Sequence, residues 1–298
     1  MTRPDLHARN RQSWNAATRA HNSHKHDQAG FLRAGGSTLF PEEIALLGDV
    51  RGARLLHLMC NSGQDTLSLA ALGADATGVD ISDEAIAFAR QLSADSGIPA
   101  TFWRADVYDW LDEAALAGDR YDIAFCSYGA LCWLSDLESW ARGVAAVLRP
   151  GGRFVCIEPH PFAMMFDEHW NLRFDYGRGA EPVEWKEGIA DYVAASGEGL
   201  APSGMTAGEP AFRNPHPAYE FQWGVAQIVS ALLDAGLVLE LLREYPFVNG
   251  WKGFDPMRAL EDRRWATPDT MPALPLMLAV AARAPSDANG DRSTTASA

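Results

Sequence analysis

The sequence predicts an α/β protein: a doubly wound, mostly parallel sheet with a helical cap at its N-terminus and a lid inserted into it. Three observations predict this class. Residues 53–158 alternate short apolar runs with longer amphipathic ones. The stretches between the apolar runs are long enough to be crossover helices, which makes the strands parallel and the crossovers right-handed. After residue 159 the alternation lapses for about sixty positions, too long for an ordinary connection in a compact domain.

The elements follow in order. "RNRQSWNAATRAH" (9–21) has the spacing of a short amphipathic helix, and residues 1–40 are read as the cap. "ARLLHLMC" (53–60), "ADATGVDI" (74–81), "ATFWRADV" (100–107), "YDIAFCSY" (121–128) and "GRFVCIEP" (152–159) read as strands. Between them lie the helical stretches "GQDTLSLAALG" and "DEAIAFARQLSADSG", an acidic turn "LDEAALAGD", and the helical "LESWARGVAAVLRPGG". Ser82 or Asp83 can cap the helix after Asp80, and Gly73 and Gly97 fall just past helix ends. Residues 41–159 thus form the first part of a core. Residues 160–220, rich in aromatics, form the lid, and 221–284 return to the core through a helix "FQWGVAQIVSALLDAG" and strands "LVLELLREYPF" and "LPLMLAVAAR". The small polar residues 285–298 are expected to be disordered.

Composition narrows the function. With 298 residues and 47% hydrophobic content the chain can bury a sizeable core. Its net charge of −14, with no dense Lys/Arg cluster, disfavours nucleic acid as a partner. No window reaches the roughly 20 apolar residues of a membrane span, and "MTRPDLHARNRQ" lacks the apolar core of a signal peptide. A cytoplasmic location is expected. Cys60, Cys126, Cys132 and Cys156 sit in apolar runs without ligand spacing and read as reduced packing residues, and no metal is expected. The histidines of "AHNSHKHD" (His21, His24, His26) fit neither a metalloprotease pair nor a zinc-finger pattern.

In open α/β sheets the ligand lies across the carboxyl ends of the strands, beside the turn from first strand to first helix. That turn is "MCNSGQD", with Gly63 alone where a dinucleotide fingerprint needs three glycines. A ligand without phosphates tolerates this better, and S-adenosylmethionine is the leading candidate. Asp80 ends the second strand, seventeen positions past Gly63, where a carboxylate can accept from both ribose hydroxyls. Asp106, ending the third strand, is placed to accept from the adenine amino group.

Through "LLHLMCNSGQDTLSLA", "GVDIS", "RADVYDW", "FCSYGALCWL" and "LRPGGRFV" the chain resembles the class I S-adenosylmethionine-dependent methyltransferases, specifically a bacterial small-molecule group with a first motif like "LHLxCNxGQDTL". The resemblance covers residues 53–158 firmly and the rest loosely. It implies a seven-stranded sheet closed by a reversed hairpin. Met59, Asn61 and Gly63 would line the methionine and ribose end of the cofactor, and Asp80 and Ile81 the ribose and adenine edge. Asp106 and Val107 would hold adenine, and Ser127 and Tyr128 would lie beneath the sulfonium. Trp14 belongs to a helix of the kind that closes over the cofactor. The chain departs from the pattern at His57, where an acidic residue is usual, and at Met59, where a glycine or glutamine is expected.

Methyl transfer from a sulfonium asks the protein for alignment and for exclusion of water. If the acceptor carries a proton, a base helps. His160 in "EPHP" is the first candidate because its unperturbed pKa lies near neutrality, with Tyr128 and His24 as the others. The aromatics Trp14, Phe162, Phe166, Trp170, Phe174, Tyr176, Trp185, Phe212, Tyr219 and Trp223 make an aromatic or heteroaromatic acceptor plausible. Some natural-product enzymes of this broad group methylate indole carbon, while O- or N-methylation of another small metabolite is equally open. A non-catalytic protein of the same fold and a nicotinamide-dependent oxidoreductase are the competing readings. Monomer and homodimer both stay open.

Overall fold

The computed structural model describes residues 1–286, so most of the expected disordered tail, 287–298, lies outside the described residues. Helix α1 (Pro4–Ser23) and the short α2 (Gln28–Arg33) and α3 (Pro41–Leu47) precede the sheet. The core then runs β1 (Arg54–Leu58), α4 (Gln64–Ala71), β2 (Asp75–Asp80), α5 (Asp83–Ser96), β3 (Thr101–Arg104), α6 (Val107–Ala117), β4 (Tyr121–Ser127), α7 (Leu137–Val147) and β5 (Leu148–Pro159). After it come β6 (Gly179–Trp185), α8 (Tyr192–Ser196), β7 (Ala218–Gln222), α9 (Val225–Asp234) and β8 (Val238–Tyr245). The chain closes with β9 (Phe247–Asn249), β10 (Arg258–Ala259), β11 (Arg264–Ala266) and β12 (Met277–Arg283).

The main sheet has seven strands in the order β3-β2-β1-β4-β5-β12-β8. β1 to β5 pair parallel, and β12 enters antiparallel to both β5 and β8. This is the mostly parallel, doubly wound sheet expected, including its reversed last strand. The winding reverses between β1 and β4, so the crevice above the ends of these strands is where a ligand can enter. Layers of apolar side chains cover both faces: Leu56, Leu58, Cys126 and Phe154 pack under α6, α7 and α9, while Leu55, Phe125, Val155 and Ala279 pack on the other side.

Three expectations need correction. The "acidic turn" is helix α6: Val107, Trp110, Leu111 and Ala114 recur at helical spacing and are buried, and Asp106 caps the start by accepting from the Tyr108 N–H. Phe221 and Gln222 belong to strand β7 rather than to the following helix, which begins at Val225. The region 221–284 is not all core sheet, because β9, β10 and β11 form a separate three-stranded sheet. The roof over the strand ends therefore draws on α1, the two-stranded β6/β7 sheet and the segment following β8 together.

Candidate active site

The turn after β1 is built from left-handed backbone. Met59, Asn61 and Gly63 have φ of 54°, 48° and 77°, which explains why glycine is the residue expected at the first of these positions. Gly63 is needed for a second reason. A Cβ there would lie 2.7 Å from the Ala89 Cβ and 2.8 Å from the Phe102 ring, so its lack of a side chain lets α4 start close against α5 and β3. Gly63 itself is not among the residues that line the cavity, which its neighbours Asn61 and Gln64 do, so what the geometry shows of it is this packing role.

Asp80 ends β2 with its carboxylate turned toward that turn. One oxygen accepts from the Asn61 N–H and the other from the Ser82 N–H, both at 2.8 Å. Burial pushes its carboxyl up to about 6, against the pull of these N–H groups. Each oxygen retains a lone pair for a further donor. At the end of β3, Asp106 faces the same space but is shared: its second oxygen meets His7 Nδ1 at 2.7 Å, and His7 Nε2 meets Ser135 Oγ at 2.8 Å. The imidazole of His7 stacks on Tyr108. Helix α1 is thereby pinned over the strand ends, and Arg11 and Asn15 fasten it further to Asp83 at the start of α5.

These groups surround one cavity of about 650 Å³, within the range of small-molecule sites. Trp14, Met59, Asn61, Asp80 and Ile81 line it. So do Asp106, Val107, Ser127 and Tyr128. His57 lies beneath, buried, sharing hydrogen bonds with Thr66 Oγ1 at 2.9 Å and Ser127 Oγ at 3.3 Å. Desolvation lowers it to about 4, so it is neutral where an acidic residue was expected. The loop after β4 is held by Glu158, whose carboxylate accepts from the N–H groups of Gly129, Ala130 and Leu131. Cys126, Cys156 and Glu158 approach one another, but Glu158 is engaged by this loop and burial keeps both thiols protonated.

The catalytic candidates are placed differently. His160 is buried outside the cavity lining; Nε2 meets Glu244 at 2.8 Å and Nδ1 accepts from the Phe162 N–H at 3.0 Å. Both ring nitrogens are occupied, so the expectation of a base is corrected to a loop anchor. His24 is likewise buried, with Nε2 at 2.7 Å from Asp191, fastening α1 to α8 rather than facing the cavity. Tyr128 does line the cavity, with φ of 37°. Its hydroxyl accepts from Asn249 Nδ2 at 2.8 Å, and burial and Glu43 push the phenol well above its ordinary value, so it stays neutral.

Of the aromatics expected in the lid, Trp14, Phe166, Phe174 and Trp185 line the cavity, whereas Tyr219 and Trp223 pack away from it. Sequence reasoning missed Trp133, Tyr192, Trp251 and Phe254, which also line it. It missed two polar groups on β7 as well. Ala218, Glu220 and Gln222 alternate onto the cavity face while Tyr219 and Phe221 pack behind. The alternation in "AYEFQ" was the available signal. Burial pushes the Glu220 carboxyl up to about 7, and the nearby Trp185 indole offsets this only in part.

Residues 55–152 match a family described as a methyltransferase domain. A ubiquinone biosynthesis O-methyltransferase of Bordetella avium is 30% identical over 166 residues, which are 54% of this chain and 67% of that protein. Another, of Proteus mirabilis, is 34% identical over 101 residues, 34% of this chain and 40% of its own length. The chain thus spans two thirds of one relative and under half of the other. Among solved structures, an S-adenosylmethionine-dependent methyltransferase from Mesorhizobium loti has a TM-score of 0.50 at 24% identity, with 84% of this chain and 99% of that one covered. One from Clostridium acetobutylicum has a TM-score of 0.52 at 13% identity, with 82% and 88% covered. These two structures share the fold. No helix among the described residues is long and apolar enough to cross a membrane.

Proposed function

The chain belongs to the class I S-adenosylmethionine-dependent methyltransferases, enzymes that use S-adenosylmethionine as cofactor, and on that premise we propose that it methylates a small aromatic or heteroaromatic metabolite. The observation that carries the reading is Asp80. Its carboxylate faces the cavity beside the left-handed turn at 59–63, with lone pairs free for a sugar diol and a charge that burial leaves short of donors.

In this reading Met59 and Asn61 hold the methionine and ribose end, and Asp80 and Ile81 the ribose and adenine edge. Asp106 and Val107 hold adenine, and Ser127 and Tyr128 underlie the sulfur. The cofactor supplies a methyl group already activated on a positively charged sulfur. The chain's own residues then have to align and to dry the site. Trp14, Trp133, Trp185 and Tyr192 wall the cavity with aromatic faces that can stack a planar acceptor and exclude water. Helix α1 closes the cofactor end through His7, Arg11 and Asn15. Residues 1–40 then act as cap and 160–220 as lid. The partner is a small molecule rather than nucleic acid or membrane, and the setting is cytoplasmic. Indole C-methylation in natural-product biosynthesis remains one specific form. The name of the Bordetella relative favours O-methylation instead.

Titrating S-adenosylhomocysteine into the purified protein tests the proposal. Micromolar binding with one site supports it. No heat and no rise in melting temperature would favour a non-catalytic protein of the same fold.

A further inference from the structure

The antiparallel β6/β7 pair presents an unusual set of groups to the cavity. On β7, Glu220 and Gln222 both face it, and Gln222 Oε1 is buried with no hydrogen-bond partner. On β6, Trp185 pairs with Ala218 in register and also lines the cavity; its indole N–H is buried near Glu220 without closing a hydrogen bond. Among the described residues no Lys, Arg or His approaches Glu220 closely enough to lower its carboxyl. A half-buried carboxylate to which the protein offers no cation is costly to keep, and a ligand entering the cavity can supply the missing donor.

The surroundings say what kind of ligand. Trp14, Trp133, Trp185 and Tyr192 form one cluster about Ala17, Ile189 and Ala218, with Trp14 and Trp133 meeting edge to face at 5.4 Å. Aromatic faces beside an acceptor suit a flat ring with an N–H, or an ammonium attracted to both carboxylate and ring faces. β7 packs against the 131–133 turn that follows β4, and Cys132 of that turn feels the Glu220 charge. Glu220 therefore lies on the side of the cavity reached from the end of β4, across from Asp80 on β2. A ligand carboxylate or phosphate would meet Glu220 as a like charge.

We propose that Glu220, with Gln222 beside it, is the recognition group for the methyl acceptor, and that the acceptor is a small aromatic molecule presenting an N–H donor. The inference rests on the methyltransferase reading and adds the chemistry of the acceptor. Glu220 is a binding and positioning group here; no proton transfer is assigned to it.

The test uses the full chain saturated with S-adenosylhomocysteine and four probes of similar size, followed by calorimetry: tryptamine, 3-ethylindole, phenethylamine and 3-phenylpropanoate. Binding of 3-ethylindole identifies a ring N–H as the donor; binding of tryptamine and phenethylamine without it identifies an ammonium. Either result supports the proposal, provided that 3-phenylpropanoate binds at least about tenfold more weakly. Glu220→Gln keeps the shape and removes the charge, and should weaken the bound probe by about tenfold while S-adenosylhomocysteine affinity stays unchanged. Equal binding of 3-phenylpropanoate, no binding of any N–H probe to protein that holds S-adenosylhomocysteine, or an unchanged probe affinity in the variant would overturn it. If S-adenosylhomocysteine itself fails to bind the wild type, the methyltransferase reading fails first, and the two failures are distinct.

Discussion

Replacing Asp80 by asparagine removes one charge from the cavity and one of the two oxygens that accept backbone N–H groups. In the unliganded protein the carboxyl sits at about 6 instead of 3.8 because burial outweighs the two N–H donors. That difference corresponds to about 3 kcal/mol. Since the folded value is raised, the favourable contribution is present below about pH 4 and lost as pH rises through 6; above that the ionised carboxylate is a standing cost. Ribose hydroxyls donating to it would relieve the cost and return the carboxyl toward its ordinary value. Affinity for S-adenosylhomocysteine should then rise about tenfold between pH 5 and pH 7.5 in the wild type. Asp80→Asn abolishes that rise and lowers affinity at pH 7.5 by about a hundredfold, since hydrogen bonds to a charged acceptor are worth roughly 1.5–3 kcal/mol each. Stability moves little. The amide leaves either the Asn61 or the Ser82 N–H without its acceptor, costing about 1–3 kcal/mol, which offsets the relief of the buried charge. Calorimetry across pH and a melting curve measure both. A variant protein that binds with wild-type affinity and keeps the pH dependence would refute the reasoning.

Other consequences are checked as directly. Gly63→Ala forces a Cβ into Ala89 and Phe102 at a φ of 77°, so the denaturation midpoint should fall by an equivalent of at least about 2 kcal/mol; an unchanged midpoint would contradict the packing role. His160→Gln should cost about 1–2 kcal/mol of stability through its two hydrogen bonds while the pH–rate profile keeps its shape, and loss of the acidic limb would restore His160 as a base. For Glu220 the folded value of about 7 exceeds the ordinary 4.5, so wild-type stability should decline as pH rises from about 4.5 through 7. Glu220→Gln should be the more stable protein above about pH 7, by up to about 3 kcal/mol. A variant that melts lower than the wild type at about pH 8 would show that the carboxylate is paired after all.

The sequence made the core legible because β1 to β5 are apolar runs bounded by recognisable caps, and because the closing strands are apolar as well. Asp80, Asp106 and the turn at 59–63 stood out for the same reason: they end strands at one edge. Helix α6 was obscured by Asp109, Asp112 and Glu113, which decorate its outer face while Trp110 and Leu111 carry the packing. The roof was harder. Its strands are short, one face of β7 serves a cavity rather than a core, and Glu220 and Gln222 therefore read as ordinary polar positions. His160 and His24 looked chemically able from residue type alone, but a histidine's role depends on what its nitrogens meet, and Glu244 and Asp191 lie far away in sequence.

The most direct measurement is a crystal structure with S-adenosylhomocysteine bound. Both ribose hydroxyls are expected on the Asp80 carboxylate, adenine between Ile81 and Val107, and the sulfur above Ser127 and Tyr128, facing the aromatic chamber. A ligand seated outside this cavity, or one whose ribose makes no contact with Asp80, would contradict it.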